Sequence, residues 1–227
     1  MDKEFGCSKP IYYFSAQGKV NLEKTVELVA RRALNLHLNH IVVFAGDGRG
    51  VFLLHEVLQR KRRRLRPQIV AVTFPYKTTF VTRSQDGTTI EFTPPTSDQA
   101  VKTQLDKRGI KLVMGALPLW EIVLPGTADD KVRVIEASLS LFSGGMSLCV
   151  QAILMACDAG CVEPGEEVIG MSADTAIVAT AAQTRWLFHP TKGLQVKEII
   201  CMPRQRSFVR DLGQEVKLVS AKNKKEG

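Results

Sequence analysis

Apolar strand-like segments alternate with amphipathic helical segments through the first third of the chain. The segments "HIVVFA" (40–45) and "QIVAVTF" (68–74) are short and nearly free of polar residues, as is typical of central strands in parallel sheets. Between them, Val51, Leu54 and Leu58 recur at helical spacing. Because parallel neighbours need a crossover connection, this order predicts a layered α/β/α fold.

The remaining segments extend the same pattern. The stretch "TFVTRSQDGTTIEF" (79–92) alternates on both sides of Asp86-Gly87, which predicts a β-hairpin. Residues 146–158 are apolar nearly all round, and such a helix is normally buried. The other predicted elements are strands at 11–14 and 110–116, helices after Asn21, at about 98–108 and at 131–142, and three closing strands in "EEVIGMS", "TAIVATAA" and "VKEIICMP".

Length and composition predict a single domain in the cytoplasm. The chain has 227 residues, and we expect one α/β domain over residues 1–215 with a polar tail over 216–227. The N-terminal residues contain no apolar leader segment, and no apolar run reaches the about 20 residues that span a bilayer. The five cysteines form no Cys-x-x-Cys pair, which indicates reduced thiols and no metal site.

The net charge of +8 raises the question of an anionic partner. Much of the excess lies in one run, "RKRRRLR" (60–66), and in the lysines of the tail. No aromatic residues interleave with the run, and no nucleic-acid-binding motif accompanies it. We therefore interpret the run as the solvated last turn of the second helix, where cations suit the helix dipole, and expect no nucleic-acid partner.

The loop "AGDGRG" (45–50) joins a predicted strand to a predicted helix start. Gly46, Gly48 and Gly50 allow close approach of a ligand to the backbone, and Arg49 can hold a phosphate with two hydrogen bonds. Asp47 adds a negative charge beside the expected anion. Two interpretations stay open, which are an anion-binding loop and a tight turn in which Asp47 caps the helix without any ligand.

A second candidate loop, "GMSADT" (170–175), joins two of the closing strands. Ser172, Asp174 and Thr175 bring two hydroxyl groups and a carboxylate to it, and Thr73 ends a neighbouring strand. In α/β sheets, loops at the strand ends meet at the ligand crevice. The alternative is a turn in which Asp174 accepts a hydrogen bond from its own backbone.

Several segments resemble the C-terminal α/β domain of pyruvate kinase. "IVVFAGDGRGVFLLHEVL" with "PQIVAVTFP" is similar to a strand, loop, helix and strand of that domain. "KPIYYFSAQGKVNLEKTVELVARRA", "VQAILMACDAG", "SADTAIV" and "VKEIICMPR" resemble the stand-alone, largely uncharacterised prokaryotic members of that superfamily. The resemblance covers roughly residues 9–74 and 131–204. It implies a three-layer sandwich with a mixed, mostly parallel sheet. The hairpin region 76–97 and the loop 115–130 depart from the resemblance, so we expect the β-hairpin to be an insertion.

The resemblance limits the function as well. It does not imply pyruvate kinase activity, because that chemistry belongs to a separate barrel of about 250 residues for which the chain has no room. In pyruvate kinases the loop that matches 45–50 lies where a phosphorylated effector can bind. Stand-alone members usually carry hydroxyl residues there, and this chain has none between 45 and 52.

These observations predict non-catalytic, regulatory binding of a small phosphorylated ligand at the strand-end loops. A metabolite or a mononucleotide such as flavin mononucleotide (FMN) would suit such a crevice. One alternative is an enzyme that uses Asp47 or Asp174 as a general base on a small phosphorylated substrate. A second alternative is an interaction module without a ligand. We also expect self-association, because the helices at 131–142 and 146–158 together should expose more apolar side chains than one sheet face needs.

Overall fold

A computed structural model describes residues 8–61, 66–83, 89–119 and 130–205. The predicted turn at Asp86-Gly87, most of the basic run and the tail lie outside these ranges. The strands are β1 (Tyr12–Phe14), β2 (His40–Phe44), β3 (Gln68–Thr73), β4 (Phe80–Arg83), β5 (Thr89–Phe92), β6 (Lys111–Met114), β7 (Glu167–Met171), β8 (Ala176–Thr180) and β9 (Gln195–Pro203). The helices are α1 (Leu22–Leu36), α2 (Arg49–Arg60), α3 (Gln99–Lys107), α4 (Asp130–Ser140) and α5 (Gly144–Asp158).

A mixed, mostly parallel sheet forms the middle layer. Its strand order is β1-β9-β8-β7-β2-β3-β6, and β8 alone runs antiparallel to its neighbours. The strands β4 and β5 form a separate antiparallel hairpin, as their alternating sequence predicts. Both the mixed sheet and the inserted hairpin are therefore confirmed.

The central strands of this sheet are buried on both faces. In β2, Ile41 and Val43 pack in the core that contains buried residues of α1, α2 and α3, while Val42 packs against α5 on the opposite face. This arrangement explains why the central strands are apolar runs rather than alternating patterns. The helices on the two faces complete the predicted three-layer α/β/α sandwich.

The helix α5 differs from its predicted start. The sequence predicts one helix that ends at residue 142 and a next one that begins at 146, but α5 already begins at Gly144. Ser143 caps it, because the Ser143 hydroxyl accepts a hydrogen bond from the Met146 amide. A Ser cap stabilises the first turn enough for two glycines to be helical there.

The prediction that the basic run forms the last turn of α2 is wrong at Lys61, and residues 62–65 lie outside the described residues. The helix ends at Arg60, and Lys61 is already extended with φ −80° and ψ 123°. The helix therefore keeps one cation of the run, Arg60, at its C-terminus, where an ion pair joins it to Glu56.

The connections of β2 and β7 create a crevice at one edge of the sheet. These two strands are parallel neighbours. The chain leaves β2 through α2 on one face, whereas it enters β7 from α5 on the other face. Because both helices begin beside the carboxyl ends of the strands, their N-termini lie on opposite sides of those strand ends, where α/β sheets bind ligands.

Candidate functional site

A cavity of about 180 Å³ lies at the carboxyl ends of β2 and β7. Most of its wall is apolar and comes from the strand ends, from Leu22 of α1 and from Leu148 of α5. The polar side chains in its lining are those of the exposed Lys19, the half-buried Asp47 and the buried Ser172. The lining residues are Lys19, Leu22, Val43, Phe44, Ala45, Gly46, Asp47, Gly50, Leu148, Met171, Ser172 and Ala173.

The Asp47 carboxylate organises the loop that follows β2. Its Oδ1 accepts a hydrogen bond from the Arg49 amide at 3.2 Å. Its Oδ2 lies 2.8 Å from Lys19 Nζ and 3.1 Å from Arg49 Nε, so two cations share one oxygen. An aspartate side chain thus occupies the position at the start of α2 where the sequence predicted an external anion.

The pKa of Asp47 reflects these contacts. Partial burial of the carboxylate raises the pKa, but the hydrogen bonds from Lys19 and from the Arg49 amide, with the charge of Lys19, outweigh burial and lower the pKa below its ordinary value. The carboxylate is therefore ionised at neutral pH. The Asp47 carboxylate carries one negative charge, and Lys19 and Arg49 carry one positive charge each. These three side chains together therefore have a net charge of about +1.

The loop also depends on one glycine. Gly48 precedes α2 with φ 80°, a left-handed conformation that residues with a Cβ rarely adopt. This conformation turns the chain from the end of β2 into the helix, and it places Asp47 beside the first amides of α2.

The loop that follows β7 is built differently, because its polar groups are satisfied inside the protein. The Met146 amide donates to Ser143 Oγ, and the Thr175 hydroxyl donates to Asp174 Oδ1 at 3.0 Å. Since the Thr175 proton is committed to Asp174, Ser143 Oγ donates to Thr175 Oγ1 across 2.8 Å. The second Asp174 oxygen accepts from the Gly18 amide at 2.6 Å.

These bonds tie the loop to two helices at once. Thr25 of α1 donates to the Ala173 carbonyl at 3.1 Å, and Ser143 caps α5. Asp174 is 8% exposed and Thr175 is fully buried. The self-bonded turn at Asp174 is not what these bonds form, because the backbone amide that donates to Asp174 belongs to Gly18, 156 residues earlier in the chain.

The structure brings together only part of the predicted site. Gly46, Asp47, Gly50 and Ser172 line the cavity, whereas Gly48 and Arg49 belong to the same loop without lining it. Asp174 and Thr175 are buried, and their hydrogen bonds to Gly18 and Ser143 hold neighbouring segments of the chain together. Thr73 lies one strand away, where its hydroxyl bonds Thr96 at 2.8 Å, and Thr96 in turn approaches the Gly46 carbonyl at 3.4 Å.

Lys19 is the polar residue that the sequence interpretation missed. It lies in the connection between β1 and α1, 28 residues before its partner Asp47. The usable signal was topological, because the loop after β1 belongs to the same edge of a parallel sheet as the loop after β2.

Other reactive groups of the described residues give no site. No cluster of three or more His, Cys, Asp or Glu side chains that could hold a metal occurs among them. Burial raises the pKa of the Cys149 thiol strongly, that of Cys201 to about 12 and that of Cys157 to about 11, so these thiols stay protonated. Asp158 accepts a hydrogen bond from the Thr184 amide at 3.0 Å and thereby anchors the turn at 184–186.

None of the helices in the described part of the chain combines the length and the apolar character needed to cross a membrane.

No model of a known protein family matches the chain. Among solved structures, a crystal structure of pyruvate kinase from Cryptosporidium parvum is similar with a TM-score of 0.34 and 15% identity, over 73% of this chain and 23% of that one. The structure of the same organism's pyruvate kinase in complex with ADP gives a TM-score of 0.31 and 16% identity, over 87% of this chain and 25% of that one. The chain thus spans about a quarter of the length of these enzymes.

Similarity at this level is partial and adds no argument about activity or ligand. The three-layer architecture rests on the sheet and its two buried faces.

Proposed function

We propose that the chain is a non-catalytic, regulatory binding domain that takes a small phosphorylated metabolite in the crevice between β2 and β7. The observation that carries this proposal is the cavity at the strand ends, with Lys19 at its mouth and an apolar interior. We further propose that the chain is related to the stand-alone pyruvate kinase C-terminal-like proteins, and that it acts in the cytoplasm, where its four described free cysteines would stay reduced.

The charges at the mouth favour an anion. Lys19 and Arg49 share the single carboxylate of Asp47, and their side chains are 61% and 63% exposed. A phosphate would take over hydrogen bonds from both cations, and charge-assisted bonds of this kind are about twice as strong as neutral ones. The α2 N-terminus adds a favourable dipole beside it.

The size of the cavity favours a compact metabolite over FMN. A volume of about 180 Å³ lies below the range of about 300–1,000 Å³ that is usual for drug-sized ligands. The three-ring system of a flavin exceeds it, whereas a short apolar body beneath a phosphate matches its apolar interior.

Binding without turnover agrees with the state of the two aspartates. The lowered pKa of Asp47 makes it a weak base at neutral pH. Asp174 has both carboxylate oxygens engaged by Gly18 and Thr175. The enzyme alternative therefore lacks a carboxylate that is free to accept a substrate proton at this crevice.

A specific observation favours a second candidate, an interaction module without a ligand. Asp47 Oδ1 is turned toward the helix and accepts the Arg49 amide, which is the capping geometry expected of a purely structural loop. The two candidates differ in one respect, since only the binding domain needs Lys19 and Arg49 for an external anion.

Calorimetry with propyl phosphate separates these candidates. We expect saturable binding to the wild-type protein and about tenfold weaker binding to Lys19→Gln and to Arg49→Ala, because one charged hydrogen bond contributes about 1.5–3 kcal/mol. Lys107→Gln, an exposed lysine at the end of α3, serves as the matched control. Equal affinity in all four proteins would remove the loop from the site, and absence of binding would favour the interaction module.

Native mass spectrometry of freshly purified protein complements that titration. A retained small-molecule mass that is lost from Lys19→Gln would identify the natural ligand class. A mass retained equally by both proteins would assign the ligand to another site.

We also propose that the protein self-associates through α4. The expectation that both α4 and α5 expose apolar residues is wrong for α5, which is buried within the chain from Gly145 to Cys157 apart from the half-buried Leu148. In and just after α4, however, Val134 is 61%, Leu141 75% and Phe142 51% exposed. Sedimentation at micromolar concentration should show an oligomer that Leu141→Ser with Phe142→Ser dissociates, and a wild-type monomer would refute the proposal.

A further inference from the structure

A second, larger cavity lies between α1, the edge strand β1 and its neighbour β9. Its volume is about 290 Å³. Its floor is apolar, with Leu28 from α1 and Ile200 from β9, and its rim carries Lys9, Arg31, Arg32 and Glu198. It is lined by none of the residues that line the cavity between β2 and β7.

The rim of this cavity has an excess of positive charge. Lys9 Nζ at 3.1 Å and an Arg32 terminal nitrogen at 2.5 Å both contact the same Glu198 oxygen, Oε2. Arg31 is exposed and forms no ion pair with the described residues. Three cations therefore face one carboxylate, and the net charge of the rim is about +2.

One donor at this rim is buried and lacks an acceptor. Arg32 Nε has almost no solvent contact and no hydrogen-bond partner among the described residues. A buried donor left without a partner costs free energy, so native proteins rarely keep one unless water or a ligand completes it. The neighbouring terminal nitrogen of Arg32 already donates to Glu198, so Nε is the donor of this guanidinium that a carboxylate or phosphate oxygen would complete.

An aromatic side chain stands beside these cations. Tyr12 lines the cavity and is 43% exposed, and its ring packs edge-on against Phe14 with centroids 5.0 Å apart. A ring fixed in this way offers an apolar surface to a flat group, which an inorganic anion would leave unused.

We propose that this cavity binds a small molecule with one anionic group and a flat apolar part, the anion against Arg31 and Arg32 and the flat part against Tyr12. The anionic group is a phosphate or a carboxylate, which share the oxygen geometry that arginine recognises. The site is independent of the proposed metabolite site between β2 and β7, because the two cavities share no lining residue.

Amide chemical shifts of the full-length chain during titration with phenyl phosphate, benzoate and inorganic phosphate test this proposal. We expect saturable shifts, at millimolar ligand or below, for Tyr12, for residues 31–35 and for residues 198–200 with phenyl phosphate or benzoate. Tighter binding of phenyl phosphate would assign a phosphate ester, and tighter binding of benzoate would assign a carboxylate. No saturable shift at these amides would overturn the proposal, and equally tight binding of inorganic phosphate would overturn the role of Tyr12.

Two variants test the arginines separately. Arg31→Gln should weaken binding about tenfold, while Lys107→Gln leaves it unchanged. Arg32→Lys keeps a cation beside Glu198 but removes the Nε donor, so it should also weaken binding severalfold with little change in melting temperature. Wild-type affinity in both arginine variants would contradict the proposal even if the probes bind.

Discussion

The loop after β2 and the loop after β7 lie side by side at one edge of the sheet, and each carries an aspartate with two partners. In the loop after β7, Asp174 is almost fully buried and its partners, Gly18 and Thr175, belong to the framework. In the loop after β2, the Asp47 side chain is 22% exposed and its Oδ2 partners, Lys19 and Arg49, are exposed cations.

The difference shows that the surroundings of an aspartate, rather than its position at a strand end, decide what it does. A buried carboxylate with neutral donors fixes the elements it joins, because leaving it unpaired would be costly. A half-buried carboxylate that is outnumbered by exposed cations leaves positive charge for another anion. We therefore regard the loop after β7 as a brace and the loop after β2 as the binding surface.

Gly145→Ala should give the largest effect, because α5 lies directly against the brace. A Cβ at Gly145 would lie 2.5 Å from Thr175 Oγ1 and 2.7 Å from Thr175 Cβ. We expect a loss of about 3 kcal/mol in the free energy of unfolding, measured in urea. The neighbouring Gly144→Ala is the control, since no atom lies within 4 Å of its Cβ position, and it should change stability by less than about 0.5 kcal/mol. Equal effects in the two variants would show that the brace is loosely packed.

Asp174→Ala and Asp47→Ala compare the two carboxylates directly. We expect Asp174→Ala to lower the free energy of unfolding by about 2–3 kcal/mol, because Gly18 and Thr175 lose a charged acceptor in a buried place. Asp47→Ala removes a helix cap and two exposed ion pairs, which together contribute about 1 kcal/mol. If Asp47→Ala lowers the free energy of unfolding in urea more than Asp174→Ala does, the loop after β2 contributes more to stability than the loop after β7. That result would contradict the different roles that we assign to the two loops.

Asp47→Ser sharpens the comparison on the side of binding. Serine keeps a cap for α2 but frees Lys19 and Arg49 from the carboxylate, so the affinity for propyl phosphate should rise about threefold to tenfold. Calorimetry on the wild-type and variant proteins measures the change. Weaker binding in Asp47→Ser would show that the carboxylate supports the ligand rather than competing with it.

The smallest expected effect is on the pH dependence of stability. The pKa of Asp47 is lowered in the folded protein, so its contribution is fully present above the ordinary value of 3.8 and is lost as the pH falls through the lowered pKa. The difference in melting temperature between wild type and Asp47→Asn should stay constant between about pH 7 and pH 5 and shrink below 3.8. A difference that grows on acidification would contradict the direction of this shift.

Much of the fold could be predicted because its signals are local. The apolar runs of β2 and β3, the spacing of Val51, Leu54 and Leu58, and the alternation of β4 and β5 each predict their own element. Two predicted boundaries were wrong. The Ser143 cap places the start of α5 at Gly144, and α2 ends at Arg60, so that Lys61 lies outside the helix.

The candidate site was harder to predict, because its chemistry depends on distant contacts. Asp47 and Asp174 were both recognised as strand-end aspartates, but Lys19 and Gly18, which distinguish them, are 28 and 156 residues away from their partners. Thr73 also ends a strand, yet its hydroxyl is committed to Thr96. A single sequence indicates the edge of the sheet at which such residues lie. It does not show which of their polar groups already have hydrogen-bond partners inside the protein.

Amide chemical-shift mapping of the wild-type protein with propyl phosphate tests most directly whether the loop after β2 binds an anion. We expect saturable shifts at Lys19 and at residues 46–50, with smaller changes at Asp174 and Thr175, and loss of these shifts in the double variant that combines Lys19→Gln and Arg49→Ala. Absence of saturable shifts at residues 46–50 at millimolar ligand would contradict binding at this loop. Shifts that are centred on Asp174 and Thr175 and survive in the double variant would contradict it as well.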